Sequence, residues 1–455
     1  MPYQIEQSPL EIFRAYDIRG KVDSQLNSNR VYTLGLAYAR MAQGKTKAVV
    51  IGRDGRLSGP TLIEALQAGL VAGGLQVINL GAVPTPLCSF GAHLLETYSS
   101  IMVTGSHNPK EYNGLKLALA GETLFDAQIQ ALHRIIESGD FPDTAPGTVQ
   151  HQSIEAQYIE ALQHQIRLDR PLKIAIDCGN GIAGRIAPAL YQALGCEVIS
   201  LYTEVDGNFP HHHPDPSKPE NLRDLIKTVI SEGCDLGLAF DGDGDRLGMV
   251  TSTGEIIWPD RQMILFSRAV LAEQPGAKII YDVKCTQTLP AAIRAAGGIP
   301  VLSKTGHSFV KQAIKREKAA LAGEMSGHIF FNDRWYGFDD ALYAGARLLE
   351  IVAAHKDSQH LFRTLPNTVN TPEINLAVEE ADKFILIEAF IARAHFPDGE
   401  INTLDGLRVD FADGFGLIRA SNTTPNLVLR FEGHSQESLD RIRGQFESVL
   451  NDLLN

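Results

Sequence analysis

The sequence predicts an α/β protein: three related α/β domains with mixed, largely parallel sheets, and a C-terminal α+β domain. Three observations predict it. First, a β-rich run, a polar turn, a helical stretch, a glycine and a second β-rich run recur three times. Second, the copies lie more than about 100 residues apart, too far for a solenoid and right for separate domains. Third, the tail changes character to short strands joined by Gly, Asp and Asn turns.

The first copy runs from Ala48-Val49-Val50-Ile51 to Leu75-Gln76-Val77-Ile78, the second from Ile174-Ala175-Ile176 to Cys196-Glu197-Val198-Ile199. The third joins Ile279-Ile280-Tyr281 to Ile299-Pro300-Val301-Leu302. Ahead of the first copy, Asn29 to Ala42 has a helical face of Leu34, Ala37, Tyr38 and Met41. Gly52-Arg53-Asp54-Gly55-Arg56 reads as a loop, and Gly59-Pro60 opens a helix to about Val71. Ser138 to Thr148 is rich in Gly, Pro and Asp, and a seam is expected near residues 138–153. A helix is expected at Ile154 to Gln165. In the tail, a helix is expected from Lys383 to Ala394, strands at Ile401 to Arg408, Gly416 to Arg419 and Leu427 to Phe431, and a final helix at Gln436 to Leu450. The expected domains are 1–150, 151–253, 254–367 and 368–455.

Composition narrows the partners. With 41 basic and 54 acidic residues in 455, the formal charge is −13, which argues against nucleic acid and leaves room for a local basic cleft. The five cysteines show no close pairing, and their odd number reads as reduced thiols in a cytoplasmic protein. No apolar run approaches the roughly 20 residues of a membrane span, and no heptad run demands an oligomer, so a monomer is expected.

In such folds ligands gather beyond the carboxyl ends of strands. Four loops there carry chemistry. Thr104-Gly105-Ser106-His107-Asn108-Pro109 follows Ile101-Met102-Val103 and places a hydroxyl on a constrained turn beside an imidazole. Asp241-Gly242-Asp243-Gly244-Asp245-Arg246 follows Leu236 to Phe240. Three carboxylates on a glycine-rich turn repel one another unless a cation joins them, and all-oxygen ligation suits Mg²⁺. An exposed acidic turn is the plain alternative. Gly323-Glu324-Met325-Ser326-Gly327-His328 reads as a loop between two strands; the alternating Glu324, Ser326 and His328 face one way if the segment is extended, and a carboxylate with a hydroxyl suits sugar hydroxyls. Arg419-Ala420-Ser421-Asn422-Thr423-Thr424 offers a cation, hydroxyls and free backbone donors to a phosphate. Arg14, Tyr16 and Arg19 can also reach a phosphate. Lys116 is a polar residue inside an apolar strand, and Lys284 and His307 follow the strands of the third copy.

Together and in this order, the four motifs resemble the α-D-phosphohexomutase family over essentially the whole chain. Met325, with Arg334-Trp335-Tyr336-Gly337-Phe338-Asp339-Asp340 after it, looks like the bacterial branch that handles both mannose and glucose phosphates. The resemblance implies four domains around a central active-site cleft. It implies reversible interconversion of hexose 1-phosphate and hexose 6-phosphate through a phosphoserine and a hexose 1,6-bisphosphate, which also serves as activator. By motif position Ser106 is the phosphoserine, and Asp241, Asp243, Asp245 and Ser106 hold one Mg²⁺. Glu324 and Ser326 take the sugar hydroxyls, with His328 in the same stretch. Arg419, Ser421, Asn422 and Thr423 take the distal phosphate, with Tyr16 and Lys284 nearby. Arg19, Lys116 and His307 serve proton transfer or phosphate contact, His107 stands beside the serine, and Arg246 steadies it. A phosphoglucosamine mutase and a Mg²⁺-dependent sugar phosphatase are the alternative enzymes. A non-enzymatic sugar-phosphate sensor fits poorly with an intact serine and three carboxylates.

Overall fold

The computed structural model describes residues 3–422 and 424–454, the last without its side chain. The chain divides into two compact units, Met1–Pro259 with Ser326–Phe362, and Asp260–Met325 with Arg363–Asn455.

The first unit contains two sheets built on parallel strands. In the first, Ala48–Arg53 lies between the parallel strands Gln76–Ala82 and Ser100–Val103. Tyr112–Leu119 then pairs antiparallel with Ser100–Val103, and Ile18–Lys21 antiparallel with Tyr112–Leu119. Their inward residues Val49, Ile51, Ile101 and Val103 are buried under the helices Ser28–Ala42, Gly59–Ala72 and Ala127–Ser138. In the second sheet, Lys173–Asp177 lies between the parallel strands Glu197–Leu201 and Leu236–Phe240, and Leu247–Thr251 returns antiparallel. The helix Ala341–Ala353 belongs to this unit. Asp340 caps it by accepting from the Tyr343 amide at 2.9 Å, and also accepts from Tyr158 Oη at 2.8 Å and Trp335 Nε1 at 3.1 Å.

In the second unit, Lys278–Asp282 lies between the parallel strands Ile299–Ser303 and Leu321–Gly323. The tail forms an antiparallel sheet in the order Val369–Asn370, Asn426–Gly433, Gly414–Ala420, Leu407–Phe411, Glu400–Asn402, with Ile374–Ala377 also on Asn426–Gly433. The helices Lys383–Arg393 and Gln436–Leu454 cover one face, where Phe446 packs 4.7 Å from Phe396 and 5.5 Å from Phe431, centroid to centroid. The other face puts Phe415 and Leu417 against Val283 and Leu302. This is the expected fold class: mixed, largely parallel sheets and an antiparallel tail.

Two local expectations are corrected, and one stated condition fails. The strand expected at Ile401 to Arg408 is two, Glu400–Asn402 and Leu407–Phe411, broken by a turn at Asp405-Gly406. Val149–His151, inside the expected seam, is an exposed edge strand parallel to Val77–Asn79, and with Val149 as its one apolar residue it carried no strand pattern. Residues 325–327 turn, as the loop reading expected, so the extended condition for Glu324, Ser326 and His328 to face one way is not met. Gly327 adopts φ +100°, a conformation that side chains rarely reach, so Glu324, Ser326 and His328 do not share one strand face.

Candidate active site

Parallel pairing decides where the serine loop sits. Because Ala48–Arg53 and Ser100–Val103 run together, their carboxyl ends emerge side by side. The loop 54–56 therefore meets the loop 104–109. Arg56 is fully buried there and its guanidinium donates to four backbone carbonyls: Ser106 at 2.7 Å, Asn108 at 2.6 Å, Pro109 at 2.7 Å and Tyr112 at 2.9 Å. Asp54, also buried, holds Arg56 Nε at 3.3 Å and accepts from Thr104 Oγ1 at 2.8 Å and the Gly105 amide at 3.1 Å. Position 105 must be glycine, because a Cβ there would collide with the Arg56 guanidinium. Arg19 adds Nη1 bonds to the Gly105 carbonyl at 2.5 Å and Asn108 Oδ1 at 2.8 Å, and pairs with Asp17.

This grip holds Ser106 at φ +49°, a left-handed conformation that costs a non-glycine residue of order 1–3 kcal/mol. The serine is 2 % exposed. Its Oγ donates to Asp241 Oδ2 at 3.1 Å and lies 3.2 Å from His107 Nδ1. Burial, then Arg246 and Arg19, hold the His107 imidazole well below its usual pKa.

Asp241, Asp243 and Asp245 stand on the turn between Leu236–Phe240 and Leu247–Thr251, fully buried, each offering an oxygen within 4.8 Å of the others. Burial, then Asp243 and Asp245, push the Asp241 carboxyl well up. Burial presses on Asp243 too, but the Lys116 ammonium outweighs it and holds that carboxyl below the usual range. Lys116 Nζ lies 2.7 Å from Asp243 Oδ2 and bonds Asp245 as well. Thr85 Oγ1 donates to Asp243 at 2.6 Å. Two oxygens, Asp243 Oδ1 and Asp245 Oδ1, are buried without a hydrogen-bond partner among the described residues. Close, buried, oxygen-rich and partly unsatisfied, this set fits a hard divalent cation.

Arg246 Nε donates to His328 Nε2 at 3.0 Å. That leaves the ring proton on Nδ1, which faces Asp339 at 3.1 Å and Asp245 at 3.5 Å. His328, expected beside the sugar hydroxyls, is thus turned into the carboxylate network and is 3 % exposed. Tyr16 is half-buried and close enough to Arg19 and Arg246 to act on both. Ser326 is half-buried in this unit.

The second unit carries the remaining candidates. Asp405 Oδ2 accepts from Arg419 Nε at 3.0 Å and from the Thr305 amide at 2.9 Å, so one carboxylate joins the two loops that carry Arg419 and His307. Glu324 Oε1 accepts from the Gly306 amide at 2.5 Å. Lys284 Nζ donates to Glu373 at 3.1 Å. Ser421 Oγ accepts from Thr424 Oγ1 at 2.8 Å. Asn422 is half-buried, and Thr423 lies outside the described residues. Arg419 Nη2 is buried without a hydrogen-bond partner among them.

Sequence reasoning passed over Asp54, Arg56, Thr85, Asp339, Asp405 and the run Pro210-His211-His212-His213-Pro214. The histidine run was the one visible signal. His213 Nε2 donates to the His107 carbonyl at 2.5 Å, tying the run to the serine loop. His212 Nε2 faces both Asp177 oxygens at 3.0 and 3.1 Å, and its Nδ1 faces the His213 carbonyl at 3.0 Å. Both ring nitrogens meet acceptors, which favours imidazolium; burial opposes this, but Asp177 outweighs it and raises the pKa.

Two outcomes are expected. Arg56→Met leaves Asp54 buried and unpaired, and urea unfolding will show a loss of about 3–5 kcal/mol; a loss under about 1 kcal/mol would mean the grip is not what orders the loop. The His212–Asp177 pair contributes stability that is complete below the ordinary imidazole pKa and lost as pH rises through the raised one. The stability gap between the natural protein and His212→Gln should therefore shrink as pH rises above the ordinary imidazole pKa of about 6.5, and a pH-independent gap would dissolve the pairing.

Comparison with known proteins places this geometry. Models of phosphoglucomutase/phosphomannomutase alpha/beta/alpha domains I, II and III match residues 10–143, 156–254 and 258–369, and the model of the C-terminal domain matches 373–449. A phosphomannomutase/phosphoglucomutase of Pseudomonas aeruginosa is 54% identical over 445 residues, covering 97% of this chain and 96% of that one. A phosphoglucomutase of Neisseria gonorrhoeae is 50% identical over 444 residues, covering 97% and 96%. The crystal structure of a family protein from Burkholderia thailandensis superposes with a TM-score of 0.93 at 49% identity, covering 98% of each chain. With all four domain models matched in order, this chain belongs to the phosphoglucomutase/phosphomannomutase family, isomerases that interconvert hexose 1- and 6-phosphates.

Proposed function

We propose that the chain interconverts the 1- and 6-phosphates of mannose and glucose by passing a phosphoryl group between Ser106 Oγ and the sugar. The observation that carries this is the placement of Ser106: buried, held in a left-handed turn by Arg56, and 3.1 Å from a cluster of three carboxylates.

In the forward step the sugar's free hydroxyl oxygen attacks the phosphorus on Ser106. The O–P bond to serine breaks as a new O–P bond to the sugar forms; the sugar's hydroxyl proton leaves to a nearby base, and the departing Ser106 Oγ takes up a proton to become a hydroxyl. The product is a hexose 1,6-bisphosphate, which turns and returns its other phosphoryl group to Ser106. Lys116, beside the carboxylates, and His107, beside Ser106, are the candidates for moving the proton. Arg19 and Arg246 hold the phosphoryl oxygens. Asp241, Asp243 and Asp245, with an oxygen on Ser106, would hold Mg²⁺, which when bound supplies positive charge to the phosphoryl oxygens.

Arg419, Ser421, Asn422 and Thr423 are assigned to the phosphate that does not react, with Tyr16 and Lys284. Binding there orients the sugar and contributes energy to the reacting end. Arg419 Nη2, buried without a hydrogen-bond partner among the described residues, supports this. Glu324 and Ser326 are assigned to the 3- and 4-hydroxyls, which mannose and glucose present alike. His307 is kept as a phosphate contact. His328 is reassigned as a positioning residue that orients Arg246 and Asp245. The division into domains at 1–150, 151–253, 254–367 and 368–455 remains part of this reading. Five buried free cysteines fit a reducing cytoplasm, and no described helix is long and apolar enough to cross a membrane.

Ser106→Ala should lower mutase turnover by at least about 10³-fold with little change in melting temperature, in a coupled assay on glucose, mannose and glucosamine 1-phosphates with bisphosphate added. Near-normal turnover in that variant would remove the assignment. Chelation should abolish activity reversibly, and Asp243→Asn should raise the Mg²⁺ concentration for half-activity by more than about tenfold. Activity indifferent to chelator would refute the role given to the three aspartates.

A further inference from the structure

The second unit contains a cavity of 810 Å³ whose lining includes none of the residues assigned above. Its walls come from the helices Pro259–Glu273 and Thr288–Ala295, from the strands Lys278–Asp282 and Ile299–Ser303, and from Glu400–Asn402 and Leu407–Phe411 of the tail sheet.

The charges around it are uneven. In the same unit Arg408, Arg419 and Arg430 are buried and each pairs with an aspartate. Arg268 and Arg294, on the two helices at the cavity, are exposed, and neither makes an ion pair or hydrogen bond among the described residues. Two unpaired guanidinium groups at one cavity invite an anion, and the planar fork suits phosphate. The remaining surface is not that of a bare phosphate site. Pro290, Pro300, Leu302 and the Tyr281 ring form an apolar wall, and Asn402 and Glu400 add hydrogen-bonding groups. A space of this size falls among organic-ligand sites of about 300–1,000 Å³. Burial pushes the Tyr281 hydroxyl up to about 12, with Arg408, Asp410 and Arg294 all close enough to act on it.

The cavity is also wired to a substrate-binding candidate, Lys284. Arg408, in the lining, pairs with Asp410 and donates to the Val283 and Cys285 carbonyls, both at 2.7 Å. Arg430 donates to the Lys284 carbonyl between them. The backbone on either side of Lys284 thus rests on a guanidinium that lines the cavity.

We propose that this cavity is a second binding site, for an organic phosphate of the nucleotide class. Its phosphate sits on Arg268 and Arg294 and its flat body lies against the Tyr281, Pro290 and Pro300 wall.

The test is isothermal titration of the full chain with AMP, ADP, GDP and inorganic phosphate, alone and with saturating glucose 1,6-bisphosphate. At least one nucleotide should bind one-to-one with a Kd below about 1 mM, and the bisphosphate should not displace it. Arg268→Glu with Arg294→Glu should weaken it more than about tenfold, by charge reversal at an exposed site that leaves the fold intact. Arg294→Ala, which only removes a charge, should weaken it less. The proposal is overturned by absence of nucleotide binding up to about 5 mM, by displacement with the bisphosphate, by indifference to the double substitution, or by inorganic phosphate binding as tightly as the nucleotide.

Discussion

The serine loop depends on one buried cation. Arg56 has no solvent to hydrate it, and a lone buried guanidinium is costly. Asp54 and four carbonyl oxygens satisfy it. Each carbonyl comes from a loop that would otherwise leave those acceptors unpaired in the interior. The cation and the loop therefore stabilise each other, and the strained turn at Ser106 persists because everything around it is fixed. Gly105 is the steric condition for this, since its missing side chain is where the guanidinium lies.

Around that loop the electrostatics are close to balanced and local. Three buried aspartates sit beside Lys116, Arg246 and Arg19, with Thr85 and backbone amides taking further lone pairs. Asp241 Oδ1 accepts from the amides of Asp245 and Arg246, which folds its own turn. The balance is incomplete at Asp243 Oδ1 and Asp245 Oδ1, where an added cation finds ready ligands. His328 and Asp339 brace the far side through Arg246 and Asp245.

Much of this was legible in the sequence, for stated reasons. The recurring strand–turn–helix units fixed the fold class, because apolar runs and glycines report backbone period directly. The motifs around Ser106, Asp241 and Arg419 stood out because their residue types are odd for ordinary turns. Asp54 and Arg56 did not stand out. Their role exists only once Ala48–Arg53 lies beside Ser100–Val103, and strand order is not written in either segment. Asp405 was hidden inside an expected strand that its own turn interrupts. The direction of His328 could not be read, because alternation holds only along an extended chain and the backbone turns at Gly327. Long-range partners and a single positive φ escaped, and local pattern did not.

The ion pairs of the second unit bear on release. Lys284 already rests on Glu373, and Arg419 on Asp405. In the proposed reaction, a phosphate arriving at either cation would exchange with a resident carboxylate instead of entering an empty basic hollow. The net gain on capture is smaller, and the carboxylate stands ready to reclaim its cation when the guest departs. A hexose bisphosphate that turns end for end between the two proposed transfers would have to be let go halfway through, and such shallow attachments suit that release.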